Sequence, residues 1–295
     1  MMKKQKKKSD FQFAFFGTSH IAVFVLDELK TAGLLPSLIV TPPDKKRGRG
    51  LALQPSPVKE WALAHVIDIL QPEKLDSGFV ELLTTNYKLL TVCIVVDYGK
   101  ILPRTVLGIP RRGFLNVHPS LLPRLRGPSP IRSAILNDEK TTGVSIIRLD
   151  EEMDHGPIIA QKRIAIDEQM RVAGLEETLM REGGRLLAQA LPQWVKGEID
   201  AHEQNHDIAT YSEKIKKEDG LLNLADDARL NLRKIRAYEG WPGTYAFFER
   251  SGKKIRVGIV DAHVQDGALV IDRVKPEGKK EMGYAEFLRS GAKPI

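Results

Sequence analysis

Residues 89–96 read Leu-Leu-Thr-Val-Cys-Ile-Val-Val, a nearly unbroken apolar run. Successive strand side chains point to opposite faces, so a strand apolar at successive positions must be covered on both sides. That is the signature of a central strand in a parallel sheet with helices on each face. The run ends in Asp97-Tyr98-Gly99, a turn. Around it the chain alternates. Residues 11–16 predict a buried strand, Gly17-Thr18-Ser19 a turn, and residues 20–31 an apolar-periodic helix. Strands are expected at 38–40, 67–70, 113–117, 142–149 and 158–166. Helices are expected from Ser56, as N-cap, and Pro57, as first helical residue, to about His65, then at 77–86, 130–136 and 172–195. The last is long and amphipathic, with Gly183-Gly184 inside it. This order predicts an α/β fold. The first turn holds one glycine, so the G-x-G-x-x-G fingerprint of a dinucleotide site is absent.

The chain of 295 residues has room for a second region. Residues 197–211 are polar and predict a linker. From residue 212 the pattern changes to a helix at 226–237, strands at 244–248, 254–260 and 268–274, and a short helix at 284–289. This predicts a small β-rich module with a net charge of +4 over residues 213–295, compatible with RNA.

At the end of the 113–117 strand stand Asn116 and His118, two residues apart and therefore on one face. Pro119 and Pro123 stop regular structure and stiffen the loop that follows. By itself an Asn-x-His pair is more often a turn cap beside an ordinary loop histidine. Its position is what changes the weighting, because ligands of open α/β sheets bind at strand ends. An amide NH2 and an imidazole N–H can both donate to an oxyanion, and the imidazole moves protons near neutral pH. Asp154, 36 residues after His118, precedes His155-Gly156-Pro157. One βαβ-like excursion would return it beside the imidazole, to orient it or to accept a proton. The set lacks a Ser or Cys nucleophile, which favours direct acyl transfer over a covalent intermediate. Asp and His without a third ligand make a weak metal site, and none is assigned.

Charge is unevenly placed. Of the net +7, residues 1–10 carry five lysines against one aspartate, and this tail is expected to be disordered. Between Asp97 and Asp138 there is no acid but seven cations, from Lys100 to Arg132, which points to an anionic ligand. Lys45, Lys46, Arg47 and Arg49, against Asp44 and between glycines, make a flexible basic loop suited to phosphates. The plainer alternative for both is a solvated face. The single Cys93 lies inside the central apolar run as an inert thiol, excludes a disulfide framework and fits a reducing cytoplasm. No run approaches the roughly 20 apolar residues of a membrane helix.

The first region carries Phe16-Gly17-Thr18, Gly48-Arg49-Gly50, Pro55-Ser56-Pro57-Val58-Lys59, Tyr98-Gly99 with Ile101-Leu102-Pro103, residues 116–127, Thr142-Gly143-Val144, and Asp154 with Gly156. The second carries Tyr211, Lys214, Arg236-Ala237, Trp241-Pro242, and Pro276 with Gly278-Lys279-Lys280. In these motifs, from about residue 13 to residue 289, the chain resembles the methionyl-tRNA formyltransferase family. The resemblance implies a Rossmann-like catalytic domain (11–196) with a parallel-rich sheet, the linker, and a C-terminal OB-like β-barrel (212–295) that binds tRNA. It implies formyl transfer from 10-formyltetrahydrofolate to the α-amino group of methionyl initiator tRNA, by a cytoplasmic monomer without metal or membrane. It implies Asn116, His118 and Asp154 as the catalytic set, and Ser120, Leu121, Leu122, Pro123 and Tyr98 as the folate site. Arg49 matches the loop that enters the acceptor stem, with Lys45, Lys46 and Arg47 beside it. Pro119, Asp97 and His155 stand where the family usually has Gly, Ala and Thr, and the barrel is short between His263 and Gly267. Two further enzyme readings keep the chemistry and change the acceptor, to a nucleotide-linked amino sugar or to water. A non-enzymatic reading is an RNA-binding module with a vestigial pocket.

Overall fold

The computed structural model describes residues 11–47 and 52–295. The lysine-rich tail and Arg49 lie outside the described residues. In chain order the first elements are β1 (Gln12–Gly17), α1 (His20–Thr31), β2 (Leu38–Val40), β3 (Lys45–Arg47) and β4 (Ala52–Gln54). Next come α2 (Pro57–Ala64), β5 (Asp68–Leu70), α3 (Ser77–Asn86), β6 (Leu90–Val96), α4 (Arg104–Leu107) and β7 (Phe114–His118). They are followed by α5 (Pro130–Leu136), β8 (Thr141–Arg148), β9 (Ile158–Ala165), α6 (Val172–Lys196) and α7 (Ala228–Ala237). The chain closes with β10 (Thr244–Arg250), β11 (Lys253–Gln265), β12 (Ala268–Pro276), β13 (Met282–Gly283), α8 (Tyr284–Leu288) and β14 (Lys293–Pro294).

The chain divides into two compact units. One comprises Met1–Arg126, Thr142–Ile164 and Glu176–Thr210, and the other Gly127–Thr141, Ala165–Leu175 and Tyr211–Ile295. The first is built on a seven-stranded sheet in the order β5-β2-β1-β6-β7-β8-β9. β5, β2, β1, β6 and β7 run parallel, and β8 runs antiparallel to β7. The period of two along β1 and β6 supplies both faces. Phe13, Phe15, Val92, Ile94 and Val96 join Leu26, Trp61, Leu187 and Leu191 of α1, α2 and α6 in one core. Ala14, Phe16, Cys93 and Val95 join Phe79, Leu83 and Val106 of α3 and α4 in the other. Cys93 is buried there, and burial raises its thiol pKa, as expected for an inert group. The helix α2 begins as expected, with the Ser56 hydroxyl accepting from the Lys59 N–H at 3.0 Å.

Gly183 and Gly184 explain themselves in α6. A Cβ on Gly183 would stand 2.6 Å from a Val117 methyl, and one on Gly184 would stand 2.7 Å from Glu28 Cβ. The two glycines let α6 lie against β7 on one side and α1 on the other.

The order of strands reverses between β1 and β6: β1 leads outward to β2 and β5, and β6 leads the other way to β7. Crevices at such switch points are where α/β sheets take ligands. Here the Thr18 hydroxyl donates to the Tyr98 carbonyl at 2.8 Å, tying the turn after β1 to the turn after β6.

The second unit carries a five-stranded antiparallel sheet in the order β13-β12-β11-β10-β14, the strand complement of a small barrel. Its core gathers Leu222, Ile235, Phe248, Val257, Val274 and Phe287. The shortness noted between His263 and Gly267 has a simple form. β11 and β12 meet at Gln265 and Ala268, joined by Asp266-Gly267 with φ of 51° and 80°. Positive φ at both central residues of a two-residue loop is a type I′ hairpin, which Asp-Gly suits. No helix among the described residues is long and apolar enough to cross a membrane.

Candidate active site

The strand β7 delivers Asn116 and His118 as its period requires. His118 is 4% exposed. Its Nε2 lies 3.0 Å from the Leu125 carbonyl. A carbonyl only accepts, so Nε2 carries a hydrogen, and Nδ1 becomes the nitrogen that can gain or lose a proton. Nδ1 stands 3.5 Å from Asp154 Oδ1. Asn116 Nδ2 donates toward the same oxygen at 3.4 Å. An amide donor, an imidazole nitrogen and a carboxylate therefore converge on one point. The spacings are long for hydrogen bonds, as is common before substrate tightens a site. The Leu125 carbonyl holds the ring at the edge opposite the one that faces Asp154. Leu125 adopts a φ of 56° to do this, in the left-handed region that costs an L-residue energy.

Asp154 also reaches the site by a different route from the expected βαβ return. β8 is antiparallel and ends level with the start of β7, where the Leu149 N–H donates to the Phe114 carbonyl at 2.8 Å. The β8–β9 turn then carries Asp154 back, with a φ of 51° at Asp154 itself. His155 donates to Asp150 at 2.7 Å within this turn. Gln204, from the segment expected to be a linker, donates to the Asp154 and Gly156 carbonyls, both at 2.8 Å. Nothing local in the sequence marks Gln204 for this.

The loop after His118 is bonded internally. The Ser120 hydroxyl donates to the Arg124 carbonyl at 2.6 Å, and Ser145 donates to the Ser120 carbonyl at 2.6 Å. The Leu122 N–H donates to Ser145 at 3.1 Å, and Gln161 donates to the Leu122 carbonyl at 2.9 Å. Ser145 and Gln161 carry no sequence signal that would mark them as site residues. Leu122 is 4% exposed, while Leu121 is half-buried. A Leu122→Lys change would bury an unpaired cation, and it is expected to lower stability by about 3 kcal/mol or more. Urea unfolding checks this, and an unchanged midpoint would contradict the packing. Leu121 is the position at which to probe ligand contact.

The formyl transferase family model matches residues 11–191, and the model of the formyl transferase C-terminal domain matches residues 214–266. The methionyl-tRNA formyltransferase of Chloroflexus aggregans is 44% identical over 93% of this chain and 95% of its own length. The chain belongs to the methionyl-tRNA formyltransferase family. The enzyme of that name from Thermotoga maritima is 38% identical over 94% of this chain and 90% of its own. Among solved structures, HypX from Aquifex aeolicus in complex with tetrahydrofolic acid is alike in fold, with a TM-score of 0.64 at 17% identity. That likeness covers 95% of this chain and 47% of HypX.

In this methionyl-tRNA formyltransferase family member, a cleft of about 450 Å³ opens at the switch point. Thr18, Asp44, Lys45, Asp97, Tyr98 and Lys100 are among its lining residues. Asn116, His118 and Asp154 do not line it; Asn116 and His118 stand at the end of β7, the neighbour of β6, whose following turn does line it. The Tyr98 phenol is buried with no hydrogen-bond partner, and burial pushes its pKa up to about 12. It packs edge-on against Phe16 at 5.4 Å.

At the base of the basic loop of this family member β3 and β4 pair antiparallel, with Lys45 and Lys46 exposed. Asp44 anchors it, accepting from Lys59 at 2.7 Å and from Gln71 at 2.8 Å. These bonds, that from Lys59 foremost, hold the Asp44 carboxyl below the usual aspartate range. Lys59 of the Pro-Ser-Pro-Val-Lys stretch thus serves the loop base. At least four of the seven cations in the acid-free stretch have protein partners. Arg112 donates to the Val195 carbonyl at 2.9 Å, near the α6 C-terminus where a cation is favourable. Lys100 donates to the Pro72 and Glu73 carbonyls, Arg104 pairs with Glu151 at 3.3 Å, and Arg126 is buried against Gln204.

Proposed function

We propose that this chain transfers the formyl group of 10-formyltetrahydrofolate to the α-amino group of methionyl initiator tRNA, with Asn116, His118 and Asp154 at the reacting atoms. One observation carries the reading: an amide donor and an exchangeable imidazole nitrogen lie 3.4 and 3.5 Å from one carboxylate oxygen. The set contains no nucleophile, which suits direct transfer between two bound substrates.

An α-amino group titrates at about 7.7–8.0, so a sizeable neutral fraction is available near pH 7. Its nitrogen forms the new bond to the formyl carbon, and the bond from that carbon to folate N10 breaks. Between these events Asn116 Nδ2 and a protonated His118 Nδ1 donate to the formyl oxygen as it becomes an oxyanion. His118 passes the Nδ1 proton to the leaving nitrogen, and Asp154 takes the proton released by the amine, directly or through water. The Leu125 carbonyl keeps the ring in place throughout, because Nε2 retains its hydrogen.

Residues 120–123 and Tyr98 form the folate side of this reading, and Lys45, Lys46, Arg47 and Arg49 the tRNA side. Residues 212–295 add a second tRNA-binding surface. The chain acts as a cytoplasmic monomer, a setting that its single buried thiol suits.

Turnover with a formylated folate is to be compared for charged initiator tRNA, an amino-sugar nucleotide and no acceptor. Formyl transfer to the tRNA, far above the other two, is expected. Faster transfer to the sugar nucleotide or to water would replace this reading with one of its alternatives. Arg49→Ala is expected to raise KM for charged tRNA and lower kcat, because the loop both binds and positions the reacting end. The slope of activity against salt should become shallower by about one unit for each phosphate that Arg49 neutralises. Steady-state kinetics across a salt series reads both effects, and an unaltered Arg49→Ala enzyme at every salt concentration would leave the loop as a solvated face.

A further inference from the structure

We propose that Gln204, held by Arg126, is a positioning residue that sets the spacing between the His118 imidazole and the Asp154 carboxylate. The proposal rests on the reading of those two groups as the proton-moving pair.

Gln204 is 5% exposed and Arg126 is 2% exposed. The guanidinium donates to Gln204 Oε1 from Nε at 3.1 Å and from Nη2 at 2.7 Å. A guanidinium cannot accept, so these bonds fix which end of the Gln204 amide is oxygen. The NH2 end then faces the other way, and its two hydrogens are both used. One goes to the Asp154 carbonyl and one to the Gly156 carbonyl, each at 2.8 Å. The backbone on either side of His155 is pinned by one amide, and Asp154 sits in a left-handed conformation, with a φ of 51°.

Arg126 is joined in the chain to Leu125, whose carbonyl holds His118 Nε2. The Arg126 N–H donates to the Thr210 carbonyl at 2.8 Å, and the Leu125 N–H donates to the Thr210 hydroxyl at 2.9 Å. One end of the Gln204 amide therefore grips the segment that orients the imidazole, and the other end grips the turn that carries the carboxylate. A second tie runs parallel to it. Arg126 Nη2 donates to His206 Nδ1 at 2.8 Å, and the His206 ring stacks on His155 at 4.1 Å with 5° between the planes. Residues 204–210 thus work as a strap across the two halves of the site. Misplacement of reacting groups by about 1 Å can cost 100-fold in rate, so a brace at this point bears on turnover rather than on substrate affinity.

Gln204→Glu is the discriminating change. It keeps the shape and the acceptor for Arg126, but it turns an oxygen toward two carbonyls in place of two hydrogens. We expect kcat to fall about 10- to 100-fold, with KM for the formyl folate and for charged tRNA within about two-fold of wild type. The pH profile of kcat is expected to move, because the imidazole–carboxylate spacing has changed. The double change Arg126→Met with Gln204→Met removes the buried cation and the amide together, and the same split between kcat and KM is expected of it should Gln204→Glu not fold. Wild-type kcat with an unmoved pH profile in either variant would overturn the proposal. So would a loss of rate that merely follows the folded fraction. Asp154→Asn is assayed alongside. If it is fully active, the reading of the site falls and the proposal with it. If it is inactive while Gln204→Glu behaves as wild type, the positioning role alone is wrong.

Discussion

Replacing His118 with alanine is expected to slow formyl transfer by roughly 100- to 10,000-fold, the scale of a lost acid–base group. In the proposed mechanism the ring delivers the proton to the leaving nitrogen, and it also donates to the developing oxyanion. Asn116→Ala removes a single donor, and a loss of roughly 100- to 1,000-fold is expected. Asp154→Ala should fall within roughly the same span. The three losses should not add, because the residues act on one transition state. Folding is a separate matter. His118→Ala leaves the buried Leu125 carbonyl without its donor, at a cost of about 1–3 kcal/mol. Asn116 and Asp154 make longer contacts, and less is expected of their removal. Single-turnover rates measured beside urea unfolding separate the two effects. Near wild-type transfer in all three variants would remove the site assigned here.

Gly156→Ala is expected to be nearly as damaging to catalysis, and more so to stability, although the residue touches no substrate in the proposed reading. A Cβ at this position would lie 1.9 Å from the Arg148 carbonyl oxygen and 3.1 Å from its carbon. Neither neighbour is the free end of a side chain. Arg148 ends β8, and its N–H donates to the Pro157 carbonyl at 2.9 Å, so strand and turn are locked together. Relief must come from moving the turn by about an ångström or more, which carries away the Gly156 carbonyl held by Gln204 and the Asp154 carboxylate two residues earlier. A loss of stability of about 3 kcal/mol or more is expected from overpacking against backbone. The part of the protein that remains folded should have lost about 100-fold in kcat through displacement of Asp154. Urea midpoints and kcat per folded molecule test the two parts. Unchanged values for both would mean that the turn has freedom the packing denies it.

The cation-rich stretch around the site illustrates how spatial context changes a sequence signal. Along the chain, Lys100, Arg112 and Arg126 look like ligands for an anion. In the fold they satisfy carbonyls and a buried amide, so their charge supports architecture before it can serve binding. The Leu122 side chain likewise packs into the interior, at 4% exposure, within the loop expected to hold the folate.

What the sequence by itself determined was whatever is decided within a few residues. The period of two put Asn116 and His118 on one face, and the unbroken apolar run of residues 89–96 required a strand covered on both sides. Ser56-Pro57 marked a helix start, because a cap is settled between a side chain and the nearest backbone. Only the tertiary structure decided the antiparallel sense of β8, the left-handed turn that brings Asp154 to His118, and the Leu125 carbonyl that selects the reactive nitrogen. It alone paired Arg126 with Gln204 across 78 residues. The physical reason is one of range. Dihedral preference and side-chain period act over a few residues, whereas a buried donor must find its acceptor wherever the chain happens to return, and no local pattern records that return.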